Sequence, residues 1–105
     1  HPATRSVAKG YVTPATELYI PLYITPETYP LLEGTQSARL NKKSKAAKHD
    51  TNKAVIMWVT PQGKSKVMGL TIGHADADWQ SAGFQNLVID GVNWMIENPG
   101  AGVGK

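Results

Sequence analysis

The sequence predicts an α/β fold, and three observations carry that expectation. Residues 66–72 (KVMGLTI) form a short apolar run with β-branched Val67, Thr71 and Ile72, closed by Gly73, which is the pattern of a buried strand. From Phe84 onward, Phe84, Leu87, Val88, Gly91, Val92 and Met95 recur at helical spacing and make a single apolar stripe, the mark of an amphipathic helix. Residues 54–60 (AVIMWVT) read as a second strand. The connection from it to 66–72 is so short that the two strands are expected to pair as an antiparallel hairpin. The stretch 66–97 is therefore strand, glycine–histidine corner and helix, and the other elements are placed around it.

Taken in order, residues 1–16 are polar, carry Pro2, Gly10 and Pro14, and are expected to form an irregular lead-in. Residues 17–24 (ELYIPLYI) are apolar with two tyrosines, but Pro21 has no N–H for a ladder, so an edge strand or two short extended pieces is expected. Residues 25–30 are a turn region, and 29–34 a second short extended piece. Residues 36–52 are lysine-rich and weakly patterned, expected as a loop with a helical turn near 44–48. Pro61-Gln62-Gly63 supplies the turn of the hairpin. Asp78 and Ser81 are the candidate N-caps of the long helix, because a short side-chain oxygen can accept from the free N–H groups of its first turn. Asn98-Pro99-Gly100 ends it, and residues 100–105 form a glycine-rich tail. There is no internal repeat.

A chain of 105 residues supports one small domain with a modest core. Hydrophobic residues make up 41%, and no apolar run approaches the roughly 18–20 residues that span a bilayer. The chain opens at His1 with neither initiator Met nor signal peptide, which suggests a processed, excised or trimmed chain. With no cysteine, a disulfide framework, a thiolate metal site and a cysteine nucleophile are all excluded within these residues, while the compartment stays undetermined. The net charge of +3 is uneven: Arg39, Lys42, Lys43, Lys45, Lys48, Lys53, Lys64 and Lys66 face only Asp50. Such a patch attracts anions. It lacks the interleaved aromatics on which nucleic-acid bases stack, so a solvated lysine loop is the expectation and nucleic-acid binding ranks last.

The hairpin is apolar on both sides, since Val55, Met57 and Val59 alternate with Ile56 and Trp58. Strands of that kind need cover on both faces, and one helical stripe supplies one. The chain is therefore expected to belong to a larger domain or to pack on a partner chain.

His74 lies at the carboxyl end of a strand, where open α/β sheets keep their ligands, and an imidazole is suited to proton transfer near neutral pH. The structural alternative is a histidine that caps the corner. His74, Asp76 and Asp78 form an H-x-D-x-D run that offers a nitrogen and two carboxylates to a divalent cation. Three alternating residues of one turn seldom converge, and Asp78 is already a cap candidate, so no metal site and no cofactor are assigned. Trp79 offers a flat platform for a sugar ring, or else plugs the start of the helix. Glu17 and Tyr19 provide a carboxylate and a phenol for sugar hydroxyls, or else are solvated side chains of an edge strand. Trp94, at helical spacing from Leu87 and Gly91, is expected in the core, and Gly91 to let the helix approach the sheet. His1 and His49 have no evident partner.

Gly73-His74, Trp79, Phe84-Gln85, Leu87, Gly91 and Trp94 together resemble the closing signature of ThuA-like (trehalose-utilisation) domains, G-H-x(4)-W-x(4)-F-Q-x-L-x(3)-G-x-x-W. His1-Pro2 with Thr4-Arg5 resembles that family's H-P-I-T-R segment, and Glu17-Leu18-Tyr19 its D-E-L-Y segment. Trp58, Gly63-Lys64 and Lys66-Val67 resemble its W-x(4)-G-K-G-R-V hairpin. The resemblance runs through residues 1–105 and covers the C-terminal half of such a domain. It implies a flavodoxin-like, three-layer α/β sandwich of the class I glutamine amidotransferase-like type. Members are linked to trehalose and keto-sugar metabolism. The amidotransferase relatives pair a nucleophilic cysteine at a strand-to-helix elbow with a histidine after a late strand, and His74 is similar in position to that histidine. ThuA-like proteins generally lack the cysteine, and the elbow would belong to the first half of the domain. The chain departs from the pattern at Ser6-Val7, at Ser65, and at Ala75, where an aspartate commonly follows the histidine.

Two functions follow as expectations. One is a carbohydrate-acting enzyme domain, hydrolase or isomerase, with His74 as acid/base and Trp79, Glu17, Tyr19 and Asp76 binding substrate. The other is a non-catalytic sugar-binding or scaffold module. The first requires His74 in a concave pocket beside a carboxylate, and the second a packed His74 bonded to backbone.

Overall fold

The computed structural model describes residues 1–14, 16–19, 23–35 and 53–104. They form an α/β fold built on a three-stranded antiparallel sheet in the order β1–β2–β3, with β1 at Tyr29–Thr35, β2 at Lys53–Gln62 and β3 at Ser65–Leu70. A short helix α1 (Asp76–Trp79) and a long helix α2 (Ala82–Glu97) follow, and a 3₁₀ turn at Pro2–Thr4 opens the chain. No described helix is long and apolar enough to cross a membrane. The expected lysine loop at 36–52, its helical turn, and His49 lie outside the described residues.

The hairpin forms where its apolar runs place it, but its turn is displaced. Gln62 pairs with Ser65, so the loop is Gly63 and Lys64 alone, not 61–63. A two-residue loop needs left-handed backbone at its first position, and Gly63 supplies it at φ +58°. Pro61 stays within β2, opposite Lys66 of β3, while on the other side β1 reaches no further along β2 than the Tyr29–Val59 pair, so no β1 residue needs the N–H that proline lacks. β1 matches the extended piece expected at 29–34, with its register broken around Leu32. Of the two readings for 17–24, an edge strand is not seen at the described residues: 17–19, 23 and 24 belong to no strand, and 20–22 lie outside the described residues.

Helix α2 packs on the sheet through Phe84, Leu87, Gly91 and Trp94, with Met57 and Val59 of β2 as the buried counterparts. Burying a side chain such as Phe84 or Leu87 stabilises the fold by about 1.5–3 kcal/mol each. Gly91 is small where the helix meets the sheet: a Cβ there would lie 2.9 Å from Met68 Sδ and 3.1 Å from Met57 Cε. The stripe is rotated from the expected one. Val92 is 51% exposed, because α2 turns its 84–87–91–94 line inward and Val92 to the side. Trp94 takes the inner place at the carboxyl end, as expected of a core residue.

Two parts of the chain that read as polar surface are structural. Ala3, in the lead-in, is fully buried, and Asp90 Oδ2 on α2 accepts the Ser6 N–H at 2.8 Å. Lys66, counted with the basic patch, is buried. Its Nζ donates to the carbonyls of Asn98 and, at 2.9 Å, Gly102, and it stands 4.5 Å from the centre of the Trp94 ring. An ammonium is well placed there, since the last carbonyls of a helix lack partners within it.

The two faces of the sheet are covered unequally. On the face away from α2, Trp58 lies over Gly69, where a Cβ would collide with the indole, and Leu18 and Ile56 meet beside Gly34. On the α2 side an open apolar groove of about 370 Å³ remains, lined by Met57, Met68, Met95, Leu70, Val92 and Ile96. It holds all three methionines of the chain.

Candidate functional site at the histidine corner

The corner begins where β3 ends. Thr71 N–H still bonds to Ile56 O at 2.9 Å, Ile72 is buried, and Gly73 turns the chain at φ +104°. A side chain at 73 would be strained by that backbone and would also press on the Phe84 ring, 2.7 Å from an added Cβ. His74 then projects outward from a fixed turn.

Asp78 is not the N-cap of α2. It lies in the short helix α1, nearly fully buried, and its Oδ2 accepts the Ala75 N–H at 3.3 Å and the Thr16 hydroxyl at 3.1 Å. It thus closes α1 back on residue 75, as a short acidic side chain three residues into a helix can. Ser81 does occupy the N-cap of α2, but its hydroxyl makes no cap bond and instead meets Tyr11 Oη at 2.5 Å. The Thr16 oxygen also accepts the Gly73 N–H at 3.0 Å. Thr16 therefore links the lead-in to both sides of the corner.

Next to that link, residue 17 lies beside residue 74. His74 Nε2 lies 4.0 Å from Glu17 Oε1, with the side chains 56% and 60% exposed. This is an ion-pair distance whenever the imidazole is protonated, in a solvated setting where Coulomb attraction is modest. Trp79 is 57% exposed on one side, while its Nε1–H donates to Gly73 O at 2.9 Å and its ring meets Phe84 edge-on at 4.9 Å. The indole thus both plugs the corner and offers a free surface. Tyr19 is 48% exposed, two residues beyond Glu17, and Asp76 is exposed in the first turn of α1.

Among the described residues no three His, Asp or Glu side chains gather to hold a metal ion, so the H-x-D-x-D run does not converge. Asp78 points inward and is engaged. A cleft of about 900 Å³ opens next to the corner, with Thr16, Leu18, Gly34, Ile56 and Ile72 in its walls, but His74 does not line it.

Three features escaped the sequence reading. Thr16 stands in an irregular stretch and gives no signal. Lys66 is indistinguishable by composition from its exposed neighbours. His1 has partners after all: its Nδ1 accepts the Ala3 N–H at 3.1 Å, its Nε2 meets Val103 O at 2.9 Å, and its ring packs edge-on against Trp94 at 4.7 Å. An imidazole in that double role carries its proton on Nε2. Compared with family models, with curated proteins and with solved structures, the chain gives no match.

Proposed function

We propose that residues 1–105 are the C-terminal portion of a ThuA-like, flavodoxin-like three-layer domain that acts on carbohydrate, with His74 as acid/base. The observation that supports it is the approach of His74 Nε2 to Glu17 Oε1 at 4.0 Å, made by residues far apart in the chain. Ala75 removes the carboxylate that commonly follows this histidine, and Glu17 supplies one from another segment. In this reading the imidazolium donates a proton to a sugar oxygen, the neutral ring takes one back, and Glu17 balances the charge as it appears. The exposed side of Trp79 offers a stacking surface to a sugar ring, and Glu17, Tyr19 and Asp76 offer polar contacts. The open Met57–Met68–Met95 groove, on the α2 side, leaves apolar surface that the rest of the domain, or a partner chain, would cover.

The reading is tested with His74→Ala and Glu17→Gln in the intact domain, assayed on keto-sugars and disaccharides. Loss of turnover by about 10²–10⁴-fold for His74→Ala, with the circular dichroism of the parent, is the expected result. One observation favours the other reading, a non-catalytic sugar-binding module: His74 does not line the cleft. Unchanged turnover together with retained sugar binding decides for it.

A further inference from the structure

We infer that Thr16 is a positioning residue whose hydroxyl, held by the buried Asp78 carboxylate, sets Glu17 against His74. The inference rests on the His74–Glu17 site proposed above, but its test does not require that site to be catalytic.

Glu17 and His74 belong to segments joined by neither a strand ladder nor a helix, and both side chains are more than half exposed. Their ion pair is too weak in water to hold the segments together. What holds them is one residue back from each. The Thr16 oxygen accepts the Gly73 N–H at 3.0 Å, and its hydrogen goes to Asp78 Oδ2 at 3.1 Å. The same Oδ2 accepts the Ala75 N–H at 3.3 Å. The residues on both sides of His74 are thus tied to one hydroxyl–carboxylate unit, which also carries the residue before Glu17. Asp78 is 1% exposed and bonded to a charged acceptor's usual donors, so the unit sits in a low-dielectric place where such bonds are strong. Valine keeps the shape of threonine but neither donates nor accepts. It would leave the Gly73 N–H and one carboxylate valence unmatched and free residue 17 to leave the corner.

The chain has no cysteine, so proximity can be read directly. Glu17→Cys and His74→Cys are combined in the full chain, and the rate of disulfide formation under a mild oxidant is followed on its own and with Thr16→Val or Thr16→Ser added. Each variant is checked by far-UV circular dichroism and denaturant titration. Rapid closure in the parent pair, a rate lower by about fivefold or more with Thr16→Val, the size expected for loss of a hydrogen bond, and recovery with Thr16→Ser support the inference. Equal rates with Thr16→Val and Thr16→Ser overturn it, and so does slow closure in the parent pair, which removes the His74–Glu17 site as well. Should Thr16→Val unfold the chain, Asp78→Leu, which keeps the approximate shape but removes the acceptor for the Thr16 hydroxyl, gives the same comparison: an unchanged rate overturns the inference. Slowed closure alongside unchanged turnover in His74→Ala leaves the positioning role standing and removes only the catalytic reading.

Discussion

Thr16 and Asp78 meet at 3.1 Å across sixty-two positions of sequence, and around that bond the lead-in, the histidine corner and the short helix α1 are fastened together. Asp78 is the buried member, so the corner should depend on it for stability as well as for geometry. Asp78→Ala is expected to cost about 1–3 kcal/mol, because it strands the Thr16 hydroxyl and the Ala75 N–H. Urea titration measures it, and an unchanged midpoint would show that water replaces the carboxylate without penalty.

Lys66 should prove structural, unlike the lysines it resembles in sequence. Lys66→Met keeps the aliphatic stem but removes the donor from the carbonyls of Asn98 and Gly102 and the cation from the Trp94 face. A loss of about 2–3 kcal/mol is expected from the combined hydrogen bonds and ring contact. Lys64→Met, at an exposed site in the turn, should stay within about 0.5 kcal/mol. Limited proteolysis of the two variants gives a second reading, with earlier cutting after Glu97 expected only for Lys66→Met.

Glycines 73 and 91 should respond differently to alanine. Gly73 has φ +104° and the Phe84 ring close by, so Gly73→Ala meets both backbone strain and a collision, at a cost of about 2–4 kcal/mol. At Gly91 the nearest atoms are the flexible ends of Met68 and Met57, which can move aside into the groove. Gly91→Ala should therefore fall within about 1 kcal/mol of neutral, helped by the better helix propensity of alanine. Thermal melts of the two variants rank them, and the reverse order would contradict this account of the packing.

The rotated helix stripe gives a matched pair. Leu87→Ala removes a fully buried side chain and should cost about 2–5 kcal/mol. Val92→Ala, at a half-exposed position, should cost under about 0.5 kcal/mol. Similar losses at both positions would mean that the groove is covered in solution.

Glu27 offers a test of local electrostatics. The Thr25 hydroxyl, and then its own backbone N–H, hold the Glu27 carboxyl below the ordinary carboxylate range. A depressed carboxyl adds stability above its unfolded value and loses it as the pH falls through the folded one, so any contribution fades in mild acid. Thr25→Val should return Glu27 toward the ordinary range in an NMR titration. No change would mean that the hydroxyl does not bond to it in solution.

How much of this was legible depended on whether a residue's role was local. The hairpin and α2 were readable because alternation and 3.6-residue spacing are imprinted on consecutive positions, and the stripe was misjudged only at Val92. The turn slipped because Pro61 looked like turn chemistry, whereas Gly63 is the residue that needs left-handed backbone. His74 and Trp79 could be picked out at a strand-to-helix corner, and Glu17 through its place in a familiar-looking segment. That Glu17 stands beside His74 could not be read, since their meeting is set by Thr16, whose partners are distant. The burial of Lys66 and the double bonding of His1 were hidden for the same reason: both are answers to unpaired carbonyls or N–H groups elsewhere in the chain.

The grip of the His1 ring on the Val103 carbonyl, backed by Lys66 on the carbonyls of Asn98 and Gly102, has a mechanical consequence. Tension applied between residues 1 and 104 is borne first by an imidazole and an ammonium on a few carbonyl oxygens, in parallel with the edge-on packing of His1 against Trp94. The sheet is loaded only after those contacts part. Such a clasp yields at low force and at a defined place, so under load the last helix should peel away before the hairpin gives.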